Sequence, residues 1–411
     1  MNSTQPISSQ NIIVKKFGGT SVGTLERIEN VAERVYRDSV QKKQKPILVI
    51  SAMSGETNRL VRMANDLDPY YRGPAYDMLL ASGEQVAVAL LSISLAKRGL
   101  KPMPLLGYQI GIQTDSVFSK ARIKSIDSQK ILNYVNDDYV PVIAGFQGVN
   151  EDDQITTLGR GGSDTSAVAV AAAIGARECE IYTDVPAVFS ADPRLVSRAR
   201  ELKSITFEEM MEMASVGSKV LHFRAVEIAA KYGIRIHSRS SFEEREGTWV
   251  LSEDNMLENP VVSSVTHDPS TVVMKLYPVP LGVAFLADLF AKLAEKNIVV
   301  DIITQSAGEL GQRLNFSVPE EDLAQTELIL KNVLKKETEV TIVKEMAKIS
   351  VIGVGMKNHP GVAARFFKVF KEQEVDVHLV TTSDIKISAV VTKADLKKVA
   401  EALHTEFSLD A

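Results

Sequence analysis

Ile12-Ile13-Val14-Lys15-Lys16-Phe17-Gly18-Gly19-Thr20-Ser21 is a β-branched run that feeds a pair of glycines. β-Branched residues suit a pleated strand, and paired glycines let the backbone turn and bring its N–H groups close to an anion. Beyond the turn, Ile28, Val31 and Val35 recur at helical spacing, and Pro46-Ile47-Leu48-Val49-Ile50 reads as a buried strand. Further strands are predicted at 140–144, 180–183 and 234–237, with helices at 83–98 and 164–175 between them. This alternation over 12–262 predicts an α/β fold with a mainly parallel sheet, whose ligands gather beyond the carboxyl ends of the strands.

The remainder of the chain repeats itself. Gly282-Val283-Ala284 opens a helical pattern that leads to Ile298-Val299-Val300-Asp301; Gly361-Val362-Ala363 does the same ahead of Val375-Asp376-Val377. Each copy is predicted as strand, helix, strand, strand, helix, strand, the pattern of ferredoxin-like α+β modules. The two modules are placed at 271–345 and 348–411, with 266–270 as a linker.

Composition narrows the function. The 411 residues are 45% apolar and 24% charged, which excludes a disordered, collagenous or disulfide-stapled chain. With 47 basic against 52 acidic residues there is no basic footprint for nucleic acid. Lys42, Lys43 and Lys45 read as a solvated loop. Cys179 is the only cysteine, so an intramolecular disulfide is impossible and a reducing compartment is favoured. Residues 1–11 lack the pattern of a signal peptide, and no uninterrupted apolar run approaches the ~20 residues that span a bilayer. A cytoplasmic protein without membrane or nucleic-acid partners is expected.

Three motifs carry chemistry. In the first, Lys16 precedes Gly18 and Gly19; this is no P-loop, because Thr24-Leu25 stands where Lys-Ser/Thr belongs. In the second, Gly159-Arg160-Gly161-Gly162-Ser163-Asp164 runs into a helix, with Ser163 as its expected N-cap. A helix start with an arginine fork suits a phosphate or carboxylate. Asp164 beside such an anion requires a cation, either Mg2+ or a substrate ammonium. The third is Thr183-Asp184-Val185-Pro186 with Phe189 and Arg194, a loop carrying both charge signs. No zinc cluster and no protein-kinase loop is present, and His222 and His237 read as structural.

Taken in order, these motifs resemble those of the aspartate kinases of the amino-acid kinase family. Lys16-Phe17-Gly18-Gly19-Thr20-Ser21-Val22 is similar to the family's opening signature, and 51–60, Ser82-Gly83-Glu84, 145–148, 159–164, 183–194 and 217–222 are similar to its later blocks. The C-terminal repeat resembles paired ACT modules. The resemblance implies a three-layer α/β sandwich with two ACT domains, and ATP-dependent phosphorylation of the L-aspartate side chain at the entry to lysine, threonine and methionine synthesis. Lys16 and Asp164 would be catalytic. Ser51, Thr57, Glu84, Arg160, Gly161, Gly162 and Ser163 would bind aspartate. Lys16, Phe17, Gly18, Gly19, Thr183, Asp184, Phe189, Arg194, Lys219 and Val220 would bind ATP, with Mg2+ accompanying it and no protein metal cluster. Lysine, with threonine as second candidate, would bind the ACT modules, whose pairing implies a homodimer or higher oligomer. A kinase for another acid, such as N-acetylglutamate, and a catalytically dead amino-acid-binding regulator are the alternatives. Glu84 and the 51–57 block favour aspartate, and intact Lys16, Arg160 and Asp164 favour catalysis.

Overall fold

A computed structural model describes residues 11–218, 220–253, 260–280, 282–296 and 298–410. Contacts divide the chain into two units: Met1–Val188 with Glu201–Ala214 and Lys219–Leu257, and Phe189–Arg200 with Ser215–Ser218 and Glu258–Ala411.

In the first unit the elements are β1 (Ile12–Phe17), α1 (Leu25–Gln41), β2 (Lys45–Ile50), α2 (Glu56–Leu67), α3 (Pro74–Lys97), β3 (Pro102–Leu105), β4 (Gln113–Thr114), β5 (Ile123–Ser125), α4 (Ser128–Asn136), β6 (Val140–Ala144), β7 (Gln147–Val149), β8 (Ile155–Thr157), α5 (Gly162–Ala173), β9 (Glu178–Thr183), β10 (Ser204–Thr206), α6 (Phe207–Ser215), α7 (Phe223–Tyr232), β11 (Arg235–Ser240) and β12 (Thr248–Leu251). The main sheet runs β10-β12-β11-β9-β1-β2-β6-β3, and only β11 and β12 pair antiparallel. A small sheet, β5-β4-β7-β8, lies apart from it.

Strand alternation sorts the side chains into two layers. Phe17, Leu48, Ile50 and Val142 share a core with Ile28, Val31 and Val35 of α1 and Val88, Leu91 and Leu95 of α3. Val14, Lys16, Ile47, Val49 and Ile181 alternate with them and are buried too. Because α5 packs on β1, β2 and β9, this second set forms the floor beneath α5. Helices on both faces of a parallel sheet give the expected three layers.

α3 begins at Pro74 and not near Gly83. By length and composition it is apolar enough to cross a membrane. It nevertheless packs on α1, β3 and β6 and buries Asp77 and Glu84, as a core helix does. The carboxylate of Asp77 accepts the N–H groups of Ser119 and Thr157, which ties the small sheet to α3.

The second unit contains β13 (Ser264–Val279), α8 (Val283–Glu295), β14 (Ile303–Gly308), β15 (Gly311–Pro319), α9 (Leu323–Val333), β16 (Glu339–Ile352), α10 (Val362–Glu372), β17 (Leu379–Ser383), β18 (Lys386–Thr392) and α11 (Leu396–Glu406). Its sheet is β14-β15-β13-β16-β18-β17, antiparallel throughout. The expected linker at 266–270 lies inside β13. Residues 264–268 pair with 348–352, the register shifts around Asp268 and Thr271, and the strand then pairs with 339–346. Pro269 falls at this irregularity, where its missing N–H costs no ladder bond.

One long strand therefore serves both ferredoxin-like modules. The fourth strand of the second module comes from ahead of the first, and no strand follows α11 among the described residues. Each module has its own apolar core, around Phe316 in the first and Phe366 in the second. α8 and α10 start after Gly282 (φ 92°) and Gly361 (φ 95°), the left-handed positions that align the two copies of the repeat.

Candidate active site

β1 ends at Phe17, and the chain then folds back beside β2 and β9. The N–H of Ser51 donates to the carbonyl of Phe17, and that of Ser54 to Gly19. The Gly18 N–H donates to Tyr182, so this amide continues the sheet and is not free for a phosphate. The absence of a side chain at Gly18 matters in another way: a Cβ there would lie 3.3 Å from the Lys16 ammonium.

Lys16 points to the α5 face, and its Nζ lies 2.6 Å from Oδ1 of Asp164. Both side chains are about nine-tenths buried. Asp164 sits in the first turn of α5, whose N-cap is Gly161 (φ 66°) and not Ser163. The helix begins earlier than expected because Gly161 accepts the left-handed conformation and Gly162 donates to Gly159. Ser163 thereby becomes a helical residue.

A cavity of about 330 Å³ opens here. It is lined by Lys16, Gly19, Ser51, Thr57, Glu84, Arg160, Gly161, Gly162, Ser163 and Asp164, which are the expected catalytic and aspartate-binding residues together with one glycine of the first motif. Ala52, Met53, Ser54, Gly55, Asn58, Phe146 and Gly159 complete the wall; they fall in the blocks 51–60, 145–148 and 159–164, but the sequence assigns none of them a role. Ser54 to Asn58 bring the start of α2, capped by Gly55 (φ 84°), to the same space as the start of α5. Two helix N-termini with Lys16 and Arg160 make a strongly anion-attracting cavity.

Glu84 opposes that bias. One of its carboxylate oxygens accepts the Ala52 N–H at 3.0 Å, and the other is buried without a partner. Burial pushes its pKa up to about 8. A buried, half-satisfied carboxyl on a cavity wall calls for a cationic or hydrogen-donating group on the ligand.

His222 caps α7, accepting the Arg224 N–H through Nδ1, and its ring packs on Gly161 so closely that a Cβ there would lie 2.0 Å from Cγ. Arg224 donates to the carbonyls of Leu158 and Ala121 and fixes the loop before Gly159 from behind. The sequence does not reveal these contacts of His222 and Arg224, because they reach segments more than sixty residues away in the chain. His237 is structural as expected: it stacks on Trp249 at 3.8 Å and bonds to the Glu246 carbonyl.

Apart from Lys16 and Gly19, the described residues expected to bind nucleotide do not line this cavity. The ring of Phe17 stacks on Tyr182 at 4.7 Å in the core beneath α1 and α3, so its side chain has no access to ligand. Thr183 donates to Asp184 at the end of β9, and Val220 is half-buried ahead of α7. Phe189 and Arg194 belong to the second unit, where the exposed Arg194 forks onto Asp192. Lys219 lies outside the described residues.

Mg2+ takes one or two carboxylates plus phosphate oxygens in place of an all-protein cage. Asp164 offers such a carboxylate, and among the described residues no group of three or more His, Cys, Asp or Glu could hold a metal alone. The donor set fits a metal that arrives on a nucleotide.

Comparison with known proteins adds a family to this geometry. The amino acid kinase family profile matches residues 11–239, and an ACT domain profile matches 349–407. The chain is 44% identical over 401 residues to an aspartokinase of Bacillus sp. (strain MGA3), covering 97% of each. It is 38% identical to the aspartate kinase of Synechocystis, covering 97% of this chain and 69% of that one with a TM-score of 0.55. It also shares its fold with E. coli aspartokinase III in complex with aspartate and ADP, at TM-score 0.79 and 24% identity, over 96% of this chain and 99% of the other.

Proposed function

This chain belongs to the aspartokinases of the amino acid kinase family, and from that premise we propose how its residues divide the work. The enzyme transfers a phosphoryl group from ATP to aspartate and is regulated by amino acids through its ACT region. The observation that carries the residue assignment is the Lys16–Asp164 pair on the wall of a cavity that also holds Arg160 and Glu84.

Phosphoryl transfer is governed by positioning and charge neutralisation, and the acceptor carboxylate is already an anionic nucleophile. No general base is required. Lys16 neutralises charge on the transferring group, and Asp164 holds the Lys16 ammonium in place. The Gly19 amide and the start of α5 add donors. Arg160 takes the α-carboxylate of aspartate with Ser51, Thr57 and Ser163 around it, and Glu84 takes the substrate ammonium. Asp164 would help hold a nucleotide-borne Mg2+, which would supply further neutralisation of phosphate charge.

Thr183, Asp184, Phe189, Arg194, Lys219 and Val220 are assigned to nucleotide on the family resemblance alone. The working domain limits are 12–262 for catalysis and 271–345 and 348–411 for the ACT modules, with 264–268 joined to the second. Lysine, with threonine second, is the proposed effector, a homodimer or larger assembly the proposed state, and the cytoplasm the proposed location.

The pH dependence follows from Glu84. Its carboxyl, pushed up to about 8, is largely protonated at neutral pH and ionises above that value. Only the ionised form pairs with the substrate ammonium. kcat/KM for aspartate should therefore rise through about pH 8, and Glu84→Gln should flatten that limb. An unchanged rise in Glu84→Gln would assign the titration to another group.

Release of ADP with aspartate, glutamate and N-acetylglutamate, each with and without lysine and threonine, tests the reading. Turnover confined to aspartate and suppressed by lysine is expected. Preference for N-acetylglutamate overturns the substrate, and indifference to both effectors overturns the regulation.

A further inference from the structure

A second cavity, of about 260 Å³, lies on the α1 side of the first unit, lined by residues of α1 together with Ser21, Ser241, Phe242 and Glu244. It shares no lining residue with the catalytic cavity. Arg27, Arg34 and Arg37 all line it. At 100° per residue, positions seven apart differ by about 20° and positions ten apart by about 80°, so these three guanidinium groups lie within one quadrant of the helix. Like charges on one helix face repel unless an anion sits among them.

The chain supplies one carboxylate for that purpose. Glu244 lies 2.5 Å from Arg37 and 3.4 Å from Arg34. Its side chain is 59% exposed, whereas that of Arg34 is only 12% exposed. Glu33, the other acid in the lining, is paired with Arg98 at 3.2 Å. Arg27 has no carboxylate partner among the described residues; it donates to the Thr20 carbonyl and lies 4.6 Å over the Phe242 ring. A single carboxylate with two oxygens cannot serve three guanidinium forks. A phosphoryl group, with three oxygens and greater charge, can.

We propose that this cavity is a second anion site, specific for a small phosphate-bearing molecule, and that Glu244 is the internal carboxylate which that molecule displaces. The volume is below the range that encloses drug-sized ligands, so the occupant is small. The site has a direct line to the chemistry. Ser21 Oγ bonds Ser241 Oγ at 2.5 Å, Arg27 holds the carbonyl of Thr20, and both residues belong to the turn whose Gly19 lines the catalytic cavity. Occupancy would pull on that turn from behind.

The test is calorimetric titration of the full chain with pyrophosphate, in a Lys16→Ala background that removes the main cation of the catalytic cavity. One site per chain is expected. Arg34→Ala and Arg37→Ala should each weaken it about tenfold or more, while Glu244→Gln, which removes the internal competitor, should tighten it by about threefold. Melting curves on each variant separate loss of binding from loss of fold. Orthophosphate and AMP, titrated in parallel, decide whether the occupant is a free phosphate or a nucleotide. Absence of binding in folded protein overturns the proposal, as does affinity indifferent to both arginines or weakened by Glu244→Gln.

Discussion

Lys16→Ala should keep its fold and lose about a thousandfold or more in kcat. A preorganised donor aimed at developing charge is worth roughly 10²–10³ in rate when removed. Here the loss is compounded, because Asp164 would remain close to nine-tenths buried beside the transferring phosphate without its cation at 2.6 Å. Leaving one member of a buried pair uncompensated also costs about 3–5 kcal/mol of stability. The double variant Lys16→Ala/Asp164→Ala removes that uncompensated charge. It should recover most of the lost stability and almost none of the rate. Melting temperature and turnover measured on the same preparations distinguish the two effects. Turnover within tenfold of wild type in Lys16→Ala would remove this residue from the mechanism.

Gly161→Ala should be nearly as damaging without touching a charge. The residue has φ 66°, where alanine carries a penalty of roughly 1–2 kcal/mol, and the added Cβ would overlap the His222 ring at 2.0 Å. The ring or the loop must move, and the loop carries Arg160 on one side and the Asp164 helix start on the other. A displacement of about 1 Å at a positioned group is enough for a hundredfold loss. We expect kcat/KM to fall about a hundredfold with a lower melting temperature. Adding His222→Ala should restore part of the activity, because the overlap is with that ring. If Gly161→Ala is neutral, the loop does not hold the site as described.

Much of the site was legible because its chemistry is local. Two short motifs, at Lys16 to Ser21 and Gly159 to Asp164, announced an anion site, and the unexplained charge of Asp164 already demanded a cation. What lay hidden depends on distant contacts. Nothing near Gly161 shows that its reason is His222, sixty-one positions on, nor that Arg224 holds the preceding loop. Phe17 and Gly18 sit inside the motif yet serve the core and the sheet, which only pairing with Tyr182 reveals.

The sequence misleads where a breaker signal and a continuous strand coincide. Asp268-Pro269 looks like a linker and is a bulge within β13, so the interleaving of the two ferredoxin-like modules is not visible in the repeat. Ser163 outranks glycine as an N-cap by preference, but Gly161 can adopt a backbone angle that serine disfavours.

The central claim is that the cavity between Lys16 and Glu84 makes an acyl phosphate on the side chain of aspartate. Hydroxylamine converts acyl phosphates to hydroxamates, so the decisive measurement is the hydroxamate formed from ATP and aspartate by wild type and by Lys16→Ala. The account predicts the β-aspartyl hydroxamate in step with ADP release from wild type, and only a trace from the variant. ADP release without hydroxamate, formation of the α-isomer, or equal yields from the two proteins would contradict it.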